Sequence, residues 1–171
     1  MPLVRITYPR GALSPDHKRR IARELTEIVL DVEVDAATDA GRMVTVVHFN
    51  EAAADDWAVG GEIRSTAAEA PNHFIVDLVV LAGLLEGDRR SQAHRRVTEA
   101  FQATLGDGDP LLPFRVWVLV HDVSEGGWGA GGRTVSALDV AQFINSDLHP
   151  ARRAEIATSL ASSSRQREEQ P

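Results

Sequence analysis

The stretch Met1-Pro2-Leu3-Val4-Arg5-Ile6-Thr7-Tyr8 opens the chain and alternates apolar and polar side chains. Such alternation predicts a half-buried β-strand. Methionine aminopeptidase usually removes Met1 when the second residue is small, which would leave Pro2 with a free secondary amine. An α-amino group titrates near pH ~8, and apolar burial or a nearby cation lowers its pKa, which suits a general base at neutral pH. The simpler interpretation is that proline is common at position 2 and has no role.

The composition is that of an ordinary globular protein. The 171 residues are 43% hydrophobic and 25% charged, which fits one domain or two small fused units. The formal net charge of -7 predicts no general attraction to nucleic acid or to anionic membranes. The chain has no cysteine, and its six histidines show no close metal-ligand spacing, so we predict no disulfide and no metal.

The longest apolar run, Phe74–Leu85, is interrupted by Asp77 and is too short to span a bilayer. The beginning of the chain lacks the basic-then-apolar pattern of a signal peptide. We therefore expect a soluble, cytoplasmic protein.

The first strand is followed by a helix and a second strand. Ser14-Pro15-Asp16 predicts a capped helix start, and the helix should run to about Asp31. Its apolar face has helical spacing and comprises Ile21, Leu25, Ile28, Val29 and Val32. Met43–Phe49 then predicts a strand largely buried on both sides, and the glycines of Trp57-Ala58-Val59-Gly60-Gly61-Glu62 predict a tight hairpin.

The second half repeats this plan. Phe74–Leu81 predicts a strand, and Phe114–Val120 predicts a second buried strand. The helix between them has the apolar face Ala93, Val97, Ala100, Phe101 and Thr104, and each member follows its counterpart in the first helix at one constant offset. Trp128-Gly129-Ala130-Gly131-Gly132-Arg133 follows the Trp57 motif at nearly that offset. A Trp-x-x-Gly-Gly motif shared in this way indicates an internal repeat.

These patterns predict an α/β fold made of two tandem β-α-β units, at about residues 2–65 and 72–136, within one domain over residues 1–148. Each unit should contain two parallel strands joined by a right-handed crossover. Four strands with both helices on one face form a two-layer α+β sandwich whose open, apolar face favours oligomerisation. A short helix over Leu138–Ile144 and another over Pro150–Leu160 should follow, and we expect residues 162–171 to be disordered.

Pro2 behind the initiator methionine, the two tandem units and a glycine hairpin after each second strand together resemble the tautomerase superfamily. The Trp57–Glu62 stretch resembles the end of the short 4-oxalocrotonate tautomerase subunit. The fused length and the tail are more similar to the cis-3-chloroacrylic acid dehalogenase branch or the malonate semialdehyde decarboxylase branch. The resemblance implies the fold of macrophage migration inhibitory factor, a homotrimer, no cofactor, and Pro2 at the floor of the active site.

The resemblance also implies an arginine that grips the substrate carboxylate at a helix start. The family pattern there is Gly-Arg-Ser, and this chain has Gly87-Asp88-Arg89-Arg90-Ser91. A guanidinium suits this role because it stays charged and can bind a carboxylate through two parallel hydrogen bonds. Arg90 is therefore our first choice and Arg89 our second. The matching place in the first unit lacks an arginine, although Arg10 lies nearby in the sequence, and this asymmetry indicates one site per chain.

Several groups of the related branches are absent. The dehalogenase histidine, tyrosine and water-activating glutamate fall near Val29, Leu119 and Gly127, with Glu125 only a loose substitute for the last. The decarboxylase aspartate falls at Gly41, and Asp39 lies two residues away. Trp57 or Trp128 would supply an apolar wall beside the amine or simply fill the core.

Keto–enol tautomerisation of a small 2-oxo or enol carboxylate demands least of the residues present, because it needs a base and a cation but no water activator. Pro2 would be the base, and Arg90, with Arg89 or Arg10, would hold the carboxylate and stabilise developing negative charge. One alternative is a decarboxylase, hydratase or dehalogenase of the same fold, which would need a carboxylate close to Pro2. The other is a non-catalytic trimeric binding protein.

Overall fold

The computed structural model describes residues 2–63, 72–106 and 108–168, and for residues 163–168 it describes the helix alone. Residues 64–65, the predicted end of the first unit, lie outside this description. Along the described chain, no helix is both long and apolar enough to cross a membrane.

The chain alternates strands and helices in two similar halves. The strands are β1 (Leu3–Pro9), β2 (Val46–Ala52), β3 (Ala58–Val59), β4 (Glu62–Ile63), β5 (Phe74–Leu81), β6 (Val116–Val123), β7 (Gly129–Ala130) and β8 (Arg133–Thr134). The α-helices are α1 (Pro15–Val34), α2 (Asp39–Val44), α3 (Asp88–Leu105), α4 (Ala137–Ile144) and α5 (Pro150–Glu168). Short 3₁₀ turns at Ala54–Asp56 and Leu112–Arg115 complete the described secondary structure.

The four long strands form one sheet in the order β2-β1-β5-β6. β1 is parallel to β2, β5 is parallel to β6, and the central pair β1–β5 is antiparallel. In the centre of the sheet, Leu3 pairs with Val46 on one side and with Val79 on the other. This topology confirms the two tandem β-α-β units and their parallel strand pairs.

The main core lies between this sheet and the helices α1 and α3. Side chains at alternate positions of β1 and β5 point into it, and the predicted apolar face of α1 is buried there. Ser14 caps α1 by accepting a 3.1 Å hydrogen bond from the backbone N–H of His17, and Pro15 occupies the first turn. The helix ends at Val34, about one turn later than predicted, and Asp35 closes it in the left-handed conformation (φ 58°).

The outer strands β2 and β6 are half exposed, so the prediction that they are buried on both sides is wrong. Only alternate side chains, such as Val47 and Val118, pack against the main core. On the opposite, helix-free face, Val46 and Trp117 are both 55% exposed, and Leu119 is 44% exposed. A continuous apolar run does not reveal that its strand lies at a sheet edge. β2 also begins later than predicted, because Asp39–Val44 forms the short helix α2.

Both predicted glycine hairpins are present. β3 pairs with β4 across Gly60 and Gly61, which have φ values of 66° and 84°. β7 pairs with β8 across Gly131 and Gly132, at 59° and 75°. Two consecutive positive φ values are characteristic of tight hairpin turns that glycine tolerates without strain.

A second apolar cluster covers the end of the sheet where β1 begins and β5 ends. It joins the last turn of α1, the loop after β5, α4 and α5. α5 contributes Ile156, which is fully buried. The helix continues past Leu160, its predicted end, to Glu168, so residues 162–168, expected to be disordered, are helical. Residues 169–171 lie outside the description.

Candidate active site

Pro2 is buried immediately before β1. Its carbonyl oxygen accepts a 3.2 Å hydrogen bond from the N–H of Val46, which fixes it beside the start of β2. Because β1 and β5 run antiparallel, the end of β5 and the loop that leads to α3 lie at this same end of the sheet. The two parts of the sequence that supply the predicted base and the predicted arginines therefore meet here.

The corresponding position in the second unit is Phe74, which stands at the same offset from Pro2 as Ala93 does from Ile21. Its side chain is 2% exposed and packs against Phe101, with the ring centroids 5.1 Å apart. A phenyl ring buried in the core offers no acid–base chemistry. The asymmetry between the two units is consistent with a single proline site per chain.

Glu33 is a residue that the sequence reasoning missed. It lies in the last turn of α1 and is 0% exposed, and neither carboxylate oxygen has a hydrogen-bond partner among the described residues. Burial raises the pKa of this carboxyl to about 7, against the opposing effects of the positive charge at the amino terminus and of Arg152. A carboxyl with this pKa exchanges protons near neutral pH. Its signal in the sequence was an acid set between Val32 and Val34, two residues that continue the apolar pattern of the helix.

Arg152 of α5 closes the site from the carboxyl-terminal side. The residue is 3% exposed, and its Nη2 donates hydrogen bonds of 2.7 Å to the carbonyl of Glu33 and 2.6 Å to the carbonyl of Leu84. Its Nη1 lies 2.8 Å from Oε2 of Glu155 without hydrogen-bond geometry. Burial lowers the pKa of Arg152, an effect that Glu155 opposes. The guanidinium binds the main chain at Glu33 and gives the Glu33 carboxylate no hydrogen bond.

Arg89 is engaged with the end of α1. Its Nη1 donates to the carbonyl of Val32 at 2.9 Å and to Oδ1 of Asp35 at 2.7 Å, and its Nη2 donates to Oδ2 of Asp35 at 3.2 Å. A bidentate pair of this kind fixes the guanidinium plane. Arg89 thereby joins the start of α3 to the end of α1.

Arg90 is less fully engaged. Its Nε donates to the carbonyl of Leu85 at 3.1 Å, and its Nη2 donates to Oδ2 of Asp122 on β6 at 2.8 Å. Its side chain is 35% exposed, and no described residue pairs with Nη1. Of the two predicted arginines, Arg90 has the greater capacity left for an added carboxylate.

Arg10 and Trp57 lie at the other end of the sheet. Eight residues of extended chain at ~3.3 Å each separate Pro2 from Arg10, a distance of about 26 Å. Trp57 lines a cavity of about 310 Å³ together with His73 and Trp117, which lie at the starts of β5 and β6. The chain therefore does not bring these two predicted residues to its own Pro2.

Trp128 lies at the Pro2 end, where it packs against the second apolar cluster. The hairpin that follows it borders a cavity of about 380 Å³ against α4. Arg133 and Val44 line this cavity, and Val44 lies two residues before the Val46 N–H that binds Pro2. Arg133 is thus a further cation near this end that the sequence reasoning did not select, although it follows the repeated glycine pair.

The first unit matches the model of a known enzyme family. Residues 2–67 match the family model described as tautomerase enzyme. The matched residues make up the first of the two units. No curated protein matches the chain.

Solved structures of tautomerase-superfamily folds resemble the chain over most of its length. N1, a member of the cis-3-chloroacrylic acid dehalogenase family, is 15% identical and covers 91% of this chain and 99% of its own, with a TM-score of 0.64. An asymmetric trimer of fused 4-OT F6 is 17% identical, covers 77% of this chain and 94% of its own, and has a TM-score of 0.61. Pt0534 inactivated by 2-oxo-3-pentynoate is also 17% identical, covers 79% of this chain and 96% of its own, and has a TM-score of 0.61. At these identities the likeness establishes the fused, two-unit tautomerase fold.

Among the described residues, no group of three or more His, Cys, Asp or Glu side chains could hold a metal ion. The groups that converge at the Pro2 end are the start of the chain, the carboxyl of Glu33 and a set of arginines. A titratable acid beside permanent positive charge suits proton transfer on an anionic substrate.

Proposed function

We propose that the protein is a cofactor-free tautomerase that interconverts the keto and enol forms of a small 2-oxo carboxylate. Pro2 is the general base, and Arg90 binds the carboxylate. The observation that carries this proposal is the burial of Pro2 at the end of the sheet where the first turn of α3, which contains Arg90, also lies.

The reaction needs one proton to leave one atom and one to arrive at another. In ketonisation, the neutral Pro2 amine takes the proton from the enol oxygen, the electron pair forms the C=O bond, and the former double bond takes a proton at carbon. The proton that Pro2 has gained can be returned at that carbon, which leaves the amine neutral again. Burial favours the neutral amine over the ammonium, and this keeps the base available near neutral pH.

The contacts of the arginines support Arg90 for the carboxylate. Arg89 already makes a bidentate pair with Asp35, so a substrate would have to displace an internal partner. Arg90 has a single hydrogen bond to Asp122 and can offer Nη1 to the substrate. A guanidinium there also stabilises the negative charge that develops on an enolate.

We further propose that the chain forms a homotrimer. The trimer named for fused 4-OT F6 supports this assembly, and so does the half-exposed apolar face that carries Val46, Trp117 and Leu119. In such an assembly Arg10 and Trp57 would contribute to the site at Pro2 of a neighbouring subunit.

A second candidate activity is decarboxylation or hydration, with a protonated Pro2 as general acid. Glu33 favours it, because a carboxyl beside the amino terminus supplies the acidic partner that this chemistry requires. The likeness to N1 of the dehalogenase family is in accord with this alternative. Halogenated acrylates and malonate semialdehyde are the substrates that separate it from tautomerisation.

The test begins with the intact mass of the purified protein, which reports whether Met1 has been removed. Enol–keto conversion of phenylpyruvate and of 2-hydroxymuconate is then measured for the wild type, Pro2→Ala and the matched control Pro9→Ala. Pro9 is the last residue of β1 and lies at the opposite end of that strand. We expect Pro2→Ala to lose about a hundredfold or more in rate and Pro9→Ala to retain activity. Equal activity of Pro2→Ala and wild type would exclude Pro2 as the base. If no variant turns over any of the substrates, the non-catalytic alternative is favoured.

Labelling offers an independent check. 2-Oxo-3-pentynoate inactivates Pt0534, and its electrophilic alkyne reacts with nucleophilic amines. We expect it to add one equivalent of mass to the Pro2 peptide of the wild type. A label found on another residue would contradict a reactive amine at Pro2.

A further inference from the structure

The carboxyl group of Glu33 lacks a hydrogen-bond donor within the part of the chain that the structure describes. It is fully buried, and neither oxygen receives a hydrogen bond from the described residues. Buried polar groups in native proteins are almost always paired, and a buried carboxylate is costly when it is left alone. The fold therefore leaves two acceptor sites to be filled at this point.

The position of Glu33 puts it next to the amino terminus. Arg152 bridges the carbonyl of Glu33 to that of Leu84, which lies three residues after the end of β5. β5 ends beside the start of β1, where Pro2 is buried. The positive charge of the amino terminus lowers the pKa of the Glu33 carboxyl, so that charge lies within electrostatic reach of Glu33. Both observations locate Glu33 at the end of the sheet where the chain begins.

The charged groups around Glu33 supply one suitable donor. From α5, Arg152 faces the main-chain carbonyl of Glu33, and Glu155 faces Arg152. From α3, Arg89 is paired with Asp35 one half-turn further along. The start of the chain, immediately before β1, contributes an amine. Once Met1 has been removed, a protonated Pro2 has two N–H groups, which match the two empty acceptors of the carboxylate.

We propose that the Glu33 carboxyl binds the Pro2 amine and shares one proton with it, so that Glu33 sets the protonation state of the catalytic base. Glu33 is a positioning residue in this arrangement, because it acts through Pro2. This inference rests on the proposed role of Pro2 in tautomerisation. It identifies Glu33 as the group that controls the protonation of the Pro2 amine.

The shared proton has two positions. With the proton on Glu33, the carboxylic acid and the amine are both neutral, and Pro2 is ready to accept a proton from the substrate. With the proton on Pro2, the pair consists of an ammonium and a carboxylate, and Pro2 is ready to donate. The two protons of such a pair are lost in two steps as the pH rises. The apparent pKa of each step belongs to the pair, so both steps appear in the titration curve of each group.

The experiment is an NMR titration of the mature protein labelled with ¹⁵N-proline, in wild type, Glu33→Gln and the control Glu24→Gln. Glu24 lies on the exposed side of the same helix. An opposite charge at contact distance raises the pKa of an amine by about one to three units. We expect the titration midpoint of Pro2 to fall by that amount in Glu33→Gln and to stay unchanged in Glu24→Gln. An unchanged midpoint in a folded Glu33→Gln overturns the proposal.

A second measurement uses the wild type alone, so it tests the proposal even if Glu33→Gln does not fold. The side-chain carboxyl carbon of Glu33, labelled with ¹³C, and the ¹⁵N of Pro2 should show the same two titration steps. Independent, single-step curves would overturn the proposal. Neither measurement depends on turnover, so an inactive protein in which the two curves coincide would refute the tautomerase function and leave the Glu33–Pro2 pair standing.

Discussion

Nη2 of Arg90 donates a 2.8 Å hydrogen bond to the carboxylate of Asp122. The first unit contains the same connection between its helix and its outer strand, because Nζ of Lys18 lies 2.7 Å from Oε1 of Glu51. Lys18 corresponds to Arg90 at the offset that relates the two units, and Glu51 corresponds to Asp122 at nearly that offset. Both units thus join a cation at the helix start to an acid in the parallel strand. Only the second places that cation at the Pro2 end of the sheet.

This pair of cations provides a matched test of carboxylate binding. Substitution of Arg90 by Ala should raise KM for a 2-oxo acid about tenfold or more, because a charge-assisted hydrogen bond contributes about 1.5–3 kcal/mol. Lys18→Ala removes the equivalent cation from the other end and should leave KM unchanged. Steady-state kinetics with the enol acid used for Pro2→Ala would measure both. Equal effects of the two substitutions would exclude Arg90 as the specific carboxylate ligand.

Asp122→Asn tests the same site and should change KM in the opposite direction to Arg90→Ala. Asparagine removes the negative charge that holds Nη2 of Arg90 and leaves only a neutral acceptor, so Nη2 is more easily drawn to a substrate carboxylate. We expect a lower KM for the carboxylate substrate, with kcat less affected. Glu51→Gln, the equivalent change in the first unit, is the control. A rise in KM would mean that Asp122 orients Arg90 and does not compete for it.

Glu33 should make the stability of the fold depend on pH. Its pKa is raised from 4.5 to about 7 in the folded protein, so the folded state binds this proton more tightly than the unfolded state does. The resulting stabilisation is complete below pH 4.5 and is lost as the pH rises through 7. Across that range the free energy of unfolding should fall by up to about 3 kcal/mol relative to Glu33→Gln.

Urea denaturation of wild type, Glu33→Gln and Glu24→Gln between pH 5 and 8 would measure the difference. The wild type and Glu24→Gln should share the same pH dependence, and Glu33→Gln should lack this component. Parallel curves for all three proteins would contradict a raised pKa at Glu33.

Arg152 should be a major source of stability at the Pro2 end. Arg152→Ala would leave the buried carbonyls of Glu33 and Leu84 without their donor and would also create a cavity. We expect the free energy of unfolding to fall by about 3 kcal/mol. Arg153→Ala, on the exposed side of the same helix, should cost less than about 0.5 kcal/mol. A similar small loss for both would mean that α5 does not hold this end of the fold.

The homotrimer can be tested on the open face of the sheet. Leu119→Lys would place a charge where the assembly is expected to bury an apolar side chain, and it should shift the protein to monomers in light scattering coupled to size exclusion. Glu24→Lys on the outer side of α1 is a control that should not change the mass. A trimer that survives Leu119→Lys would place the interface elsewhere.

The sequence predicted the features that local patterns determine. The strand at Leu3–Pro9, the helix face from Ile21 to Val32 and the two glycine hairpins all follow from periodicity or from turn chemistry within a few residues. The near-constant offset between the two sets of motifs then predicted the fused, two-unit architecture.

The features that the sequence did not predict depend on distant parts of the chain. Glu33 is buried partly because α5 covers it, and Arg152 is 119 residues away from it. The exposure of Val46 and Trp117 depends on β2 and β6 being the outer strands, which their apolar composition does not indicate. The separation of Arg10 and Trp57 from Pro2 follows from the direction of β1.

Phe74 occupies the place in the second unit that Pro2 occupies in the first. A proline introduced there would still carry an amide nitrogen with no basicity, because it lies within a continuous polypeptide. Joining two units into one chain therefore leaves one amino terminus where two separate units would have two, whatever residue stands at the junction. To give this scaffold a second terminal proline, a protein engineer would have to cut the polypeptide just before residue 74 as well as replace Phe74 with proline.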